Sequence, residues 1–159
     1  MPQSPWWPSE RWDELVEGRN CPLCQVLAYP EKDEEAVVVA DLEASRLRLA
    51  RNQFVRGYCV LVSHVHAKEP YELAPEVQAA FFRDLMRAAK ALDRVFQPVK
   101  MNYQILGNQV PHLHAHLLPR YADDGAPGAP LAPGSGHHVL NAEELERRVQ
   151  TIRIALEEG

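Results

Sequence analysis

Long apolar runs are missing from this chain. Its uninterrupted hydrophobic stretches are only a few residues long, whereas a bilayer-spanning helix needs about 20, and the first residues carry neither a basic start nor an apolar signal core. No membrane partner is expected, and the location read from the sequence is cytoplasmic. A basic block is missing too: 17 lysines and arginines are spread among 22 acidic residues for a net charge of -5. No stripe is available to track a nucleic-acid backbone, so no nucleic-acid partner is expected and any bound phosphate must be held by local donors. Cysteine is scarce. Three residues, an odd number with Cys21 and Cys24 only three apart, fit a metal clip in a reducing compartment better than a disulfide framework. Cys59 falls in an apolar run and reads as a small core residue. No internal repeat is visible.

Against these absences stand 159 residues, 46% of them hydrophobic, enough to bury the core of one domain. Residues 1–19 hold Pro2, Pro5, Pro8 and the tryptophans Trp6, Trp7 and Trp12. They read as an arm that lays its aromatics on the domain or on a partner subunit, with a short helix capped by Ser9. Strand patterns follow at Glu35–Asp41, Arg46–Arg51 and Tyr58–Ser63, with Gly57 marking the turn into the third. From Ala74 to Phe96, apolar residues at Val77, Phe81, Leu85, Ala88, Leu92 and Phe96 recur every three or four positions; Pro75 suits a first helical turn and Pro98 stops the pattern. Strands near Met101–Leu106 and Leu113–Leu118 flank the turn-like Gly107-Asn108-Gln109. Ala122–Gly136, loaded with Pro, Gly and Ala, reads as an irregular loop with room to move. A last helix starts at Asn141, with Glu144 three residues on, and runs through Leu145, Val149, Ile152 and Leu156. Three strands, a long helix, two strands and a terminal helix predict an antiparallel α+β domain.

The densest chemistry is in the second half. His112, His114 and His116 stand two residues apart in a strand-like stretch, so all three imidazoles are expected on one face. The ends of such a ridge are about 13 Å apart and a zinc–nitrogen bond is about 2 Å, so the three cannot close on one ion and must divide their labour. A neutral imidazole has a free ring nitrogen near neutral pH and forms a labile phosphorylated intermediate. The middle histidine is the natural nucleophile, and a flanking one can bond a phosphate oxygen or deliver a proton to the leaving group. Cys21-Pro22-Leu23-Cys24 is the second cluster. Two thiolates converging on one point suit tetrahedral zinc given two more ligands, although a redox pair or a turn with two buried thiols has the same sequence.

His112-Leu113-His114-Ala115-His116-Leu117-Leu118 resembles the histidine-triad (HIT) signature, His-x-His-x-His followed by two apolar residues, of a superfamily of nucleotide hydrolases and transferases. Met101-Asn102-Tyr103 through Gly107-Asn108-Gln109-Val110-Pro111 before it, Pro119-Arg120-Tyr121 after it, and Gly57 with His66 beyond it stand in the expected order. The resemblance covers residues 20–121, flanked by the arm (1–19) and by residues 122–159. It implies a five-stranded antiparallel sheet with the long helix packed on it, and a homodimer with joined sheets. It also implies attack on the α-phosphate of an adenylate-type nucleotide, such as a dinucleoside polyphosphate, a nucleoside phosphoramidate or adenylyl-sulfate, through a nucleotidyl-histidine.

Carried over by residue, the resemblance makes His114 the nucleophile, His116 the contact to the α-phosphate and leaving group, and His112 either an orienting group or a metal ligand. Asn102, Asn108 and Gln109 fall where polar groups surround the phosphates, and Asn52 falls near the ribose. The zinc-bearing bacterial-type branch completes a structural zinc site of Cys21 and Cys24 with His66 and His112, His64 being the near competitor to His66. One departure stands out: Tyr58 occupies the place of a fourth histidine and can donate a hydrogen bond but not share a proton readily near pH 7. Arg120 is expected to be exposed and paired with Asp123 or Asp124, and His137 and His138 to be solvated. Besides an enzyme, the sequence admits a zinc-stabilised nucleotide-binding module with little turnover, or a hydrolase whose triad ligates a metal.

Overall fold

The computed structural model describes residues 9–159; the proposed packing of Trp6 and Trp7 lies outside them. Five strands form one antiparallel sheet in the order β1-β2-β3-β5-β4: β1 (Ala36–Asp41), β2 (Ser45–Ala50), β3 (Cys59–Ser63), β4 (Lys100–Gln104) and β5 (His114–Arg120). The first three make a meander, the long helix α3 (Pro75–Phe96) crosses over, and β5 enters between β3 and the edge strand β4. The α+β architecture and five-stranded sheet are those expected from the sequence. Strands β4 and β5 are shifted from their expected spans. β4 stops at Gln104, and Leu113 sits before β5, its N–H bonded to Ala67 O and its carbonyl to Ser63 N.

Alternation along the strands gives the sheet two unlike faces. Leu47, Leu49, Cys59, Leu61, Ala115 and Leu117 point to one side and meet Phe81, Leu85, Ala88 and Leu92 of α3 and Val149 and Ile152 of α4 (Ala142–Glu157). α4 begins with the expected capping box: Asn141 accepts from the Glu144 N–H and Glu144 accepts from the Asn141 N–H. Asp84, buried in mid-α3, accepts from Ala44 N at 2.8 Å and Ser45 Oγ at 2.7 Å and so fixes the β1–β2 turn to the helix. The other face carries Arg48, Ala50, Tyr58, Val60, His114, His116 and Leu118 and is only partly covered, by Leu23, Leu27 and Leu131.

Two short helices precede the sheet, α1 (Ser9–Val16) and α2 (Pro22–Ala28). The second was not visible in the sequence because its seven residues are too few to show a period. Between β2 and β3 the chain turns on two devices. Gln53, 3% exposed, donates to the carbonyls of Ala50 and Tyr58 and accepts from the Gly57 N–H and from Arg148. Gly57 has φ +87°, and a Cβ there would lie 2.6 Å from the Phe96 ring. Gly57→Ala adds left-handed backbone strain to an overpacked contact, and is expected to cost about 3 kcal/mol in a urea-unfolding measurement.

Candidate active site and metal centre

β5 brings His114 and His116 to the open face, their ring centroids 5.0 Å apart. His114 Nδ1 lies 2.6 Å from the carbonyl oxygen of His112. A carbonyl can only accept, so Nδ1 carries the proton and Nε2 keeps a free lone pair. His116 Nδ1 lies 2.8 Å from the Tyr58 hydroxyl. Burial pushes the Tyr58 phenol well up, so it keeps its proton; with Tyr58 as the donor of this bond, the proton of His116 sits on Nε2. Burial lowers both imidazoles, His116 to about 4 with a smaller contribution from His114. Two neutral rings thus stand side by side, one with an open acceptor and one with an open donor.

The expected ridge of three is divided. His112, 1% exposed, precedes β5 and turns its ring to Cys21, Cys24 and His66. Its Nδ1 is 3.6 Å from Cys21 Sγ, 3.4 Å from Cys24 Sγ and 3.1 Å from His66 Nδ1, and Cys24 Sγ is 3.4 Å from His66 Nδ1. The outer nitrogens are committed: His112 Nε2 donates to Ser63 O at 2.8 Å and His66 Nε2 to Val16 O at 3.0 Å. Both Nδ1 atoms are therefore lone-pair acceptors facing each other, a contact that a cation between them would relieve. A tetrahedron with metal–nitrogen bonds of about 2.05 Å and metal–sulfur bonds of about 2.3 Å has N···N edges of about 3.3 Å and N···S edges of about 3.6 Å. The four side chains fit such an ion. His64 is not among them; its Nε2 lies 3.2 Å from Asp41 Oδ1.

A cavity of about 590 Å³ runs from the two histidines across β3 to β2, and a smaller recess of about 330 Å³ opens on the other side of the same histidines. Asn108 lines the recess and Gln109 lines both. The other two expected nucleotide contacts each hold a partner within the fold. Asn52 sits at the cavity wall, but its side chain donates to Gly136 O at 2.9 Å and accepts from His138 N at 2.8 Å. Asn102 accepts from Arg120 at 2.9 Å and lines a separate depression. Arg120 is a correction to the expected exposed residue: its side chain is 9% exposed and binds Asp124 at 2.6 and 2.8 Å, Asn102, and the carbonyls of Ala126 and Ala129. It tethers the Pro/Gly-rich segment. His138 is also held, through backbone bonds to Asn52 and Gln53.

The sequence reading missed a buried ion pair in the cavity, Arg48 with Asp33, each 5% exposed. The available signal was Arg48 itself, a charged residue on the alternate face from Leu47 and Leu49 in mid-strand.

The HIT domain family model matches residues 31–123, so the chain belongs to the HIT family. Its members are in general nucleotide hydrolases or transferases, some being binding proteins. "Protein hit" of Bacillus subtilis is 26% identical over 117 residues, covering 70% of this chain and 79% of that protein. The crystal structure of a histidine triad protein from Bradyrhizobium japonicum superposes with a TM-score of 0.69 at 25% identity, over 77% of this chain and 92% of that one. A zinc-bound histidine triad family protein from Mycobacterium smegmatis gives 0.65 at 21% identity, over 87% and 94%. No helix among the described residues is long and apolar enough to cross a membrane.

An imidazole that titrates near 4 when folded and near 6.5 when unfolded takes its proton first in the unfolded chain. Its contribution to stability is complete above about pH 6.5 and is lost as the pH falls toward about 4. Urea midpoints measured across that window should fall with acidification, and less steeply in His116→Gln.

Proposed function

We propose that the protein is a nucleotide hydrolase or nucleotidyl transferase acting at an α-phosphate through a nucleotidyl-histidine on His114. The observation that carries this reading is the 2.6 Å bond from His114 Nδ1 to the His112 carbonyl, which leaves Nε2 as the nucleophile. The Nε2 lone pair attacks phosphorus and the bond from phosphorus to the leaving group breaks, the departing atom keeping the electron pair and accepting a hydrogen bond from His116 Nε2–H, which stays on the neutral ring. Water or another acceptor then attacks the phosphorus, the bond from phosphorus to His114 Nε2 breaks, and the proton of the acceptor passes to the departed group or to solvent. Tyr58 fixes which nitrogen of His116 bears the proton. The large cavity suits the nucleoside and the recess beside Asn108 and Gln109 suits the leaving group, be it a polyphosphate, an amine or a sulfate.

Zinc is the ion proposed for Cys21, Cys24, His66 and His112; the M. smegmatis relative is zinc-bound. With four protein ligands it has no open position for chemistry, and it serves to brace the segment that leads into β5. A homodimer joined through the β4 edge is also expected: Val99 and Tyr103 are exposed on that strand and its approach, and Leu106 just after it.

Incubation with nucleotidyl donors, acid-free quenching and mass spectrometry should show one added nucleotidyl group on His114. His114→Ala should lose the adduct and at least about a thousandfold in turnover, followed by phosphorus NMR, with its circular dichroism unchanged. A folded protein that binds mononucleotides tightly but gives neither adduct nor turnover would be a binding module instead. Cys21→Ala should lower the melting temperature and the zinc content together.

A further inference from the structure

The cavity holds charged groups that the chemistry at His114 and His116 does not use: Lys32, Glu34 and Glu35 are exposed at its wall, and Arg48 and Asp33 are buried in it. Arg48 projects from β2, and its Nε and one terminal nitrogen bond to Asp33 Oδ2 at 2.8 and 2.5 Å. The other Asp33 oxygen accepts the backbone N–H groups of Glu35 and Ala36 at 3.0 Å each, so the carboxylate is filled. A guanidinium has five N–H donors, and the rest of Arg48's have no partner among the described residues. No fully buried side-chain nitrogen or oxygen among those residues is unpaired, so the remaining terminal nitrogen reaches the cavity that Arg48 lines. What the ion pair presents there is donors only.

Its position says which part of a ligand it meets. Arg48 pairs with Val60, which pairs with His116, so Arg48 and His116 lie in one cross-sheet row two strand spacings apart, about 10 Å. That distance is comparable to the reach from an α-phosphate through a ribose to a base. Leu23, Val26 and Ala50 supply apolar walls of the same cavity.

Resting on the reading of His114 as the phosphate end, we propose that Arg48 selects the base, and that the cavity takes a purine with two acceptors on its major-groove edge, as in guanine or hypoxanthine, over adenine. O6 and N7 of guanine are two acceptors for the N–H groups that Arg48 has left, whereas adenine offers one acceptor and turns its N6 amino donor toward Arg48. Asp33 has no free oxygen with which to rescue that amino group.

The test uses the zinc-loaded full chain and calorimetric titration with GMP, IMP and AMP. GMP and IMP should bind about tenfold or more tightly than AMP, and 7-deaza-GMP should lose most of that advantage. In the double variant Asp33→Asn with Arg48→Met, which leaves no unpaired buried carboxylate, GMP and IMP should fall to the affinity of AMP while AMP is retained. Equal binding of the three by the wild type, or a preference for AMP, overturns the proposal. So does an equal loss of all three in the double variant, which would place Arg48 on the phosphate. Should the double variant not fold, the comparison of 7-deaza-GMP with GMP on the wild type decides, equal affinity being the refuting result. A guanine preference without any adduct on His114 would sink the catalytic reading and leave this one standing. A folded protein that binds none of these nucleotides sinks both.

Discussion

The hydrogen bond from His114 to the carbonyl of His112 joins two parts of the molecule that differ in chemistry. On one side is an imidazole whose open nitrogen faces a cavity; on the other is a residue whose ring belongs to the cluster of Cys21, Cys24 and His66. One residue gives its side chain to one centre and its backbone to the other. The carbonyl can aim at His114 only if the chain at His112 is held, and it is held by the ring's contacts with two sulfurs and Ser63 O. The helix carrying Cys24 and the turn carrying His66 thereby contribute to the tautomer of a histidine they do not touch.

The sheet supplies the geometry that this coupling needs. Because α3 and α4 take all the apolar residues of one face, the opposite face can hold groups that would be costly in a core. Arg48, Tyr58, His114 and His116 lie there as neighbours on three strands, half-shielded by α2. Partial burial lowers the imidazoles, which favours their neutral forms, and raises the phenol of Tyr58. A fully solvated strand face would leave all of these groups near their ordinary values.

Much of this is legible in the sequence, for reasons that differ from element to element. The period of α3 is written over many residues from Val77 to Phe96, and the boundaries at Pro75 and Pro98 have steric causes. The alternation of His114, Ala115, His116 and Leu117 placed the two faces of β5 correctly. His112 was expected to continue that alternation; local sequence cannot show that it precedes β5 and is drawn to groups about 90 positions away. Asn52 and Asn102 fall near a nucleotide by resemblance; of the four hydrogen-bonding sites of each amide, the fold occupies two of Asn52's with the backbone of Gly136 and His138 and one of Asn102's with Arg120, pairings that local sequence does not encode. The pairing of Arg48 with Asp33 depends on the loop before β1 folding back over β2, and nothing local encodes that.

The segment after β5 shows how much a single guanidinium can organise. Arg120 gathers Asp124 and the carbonyls of Ala126 and Ala129, Gln104 holds Leu131, and Asn52 holds Gly136. Between the last two clamps only a short arc spans the mouth of the cavity, and Pro133 of that arc touches both the cavity and the recess. Insertions or exchanges confined to residues 132–135 can therefore reshape the entrance while the histidine strand, the cysteine cluster and the helical backing stay as they are. Ligand choice at the doorway and the chemistry behind it are free to diverge separately in this chain's descendants.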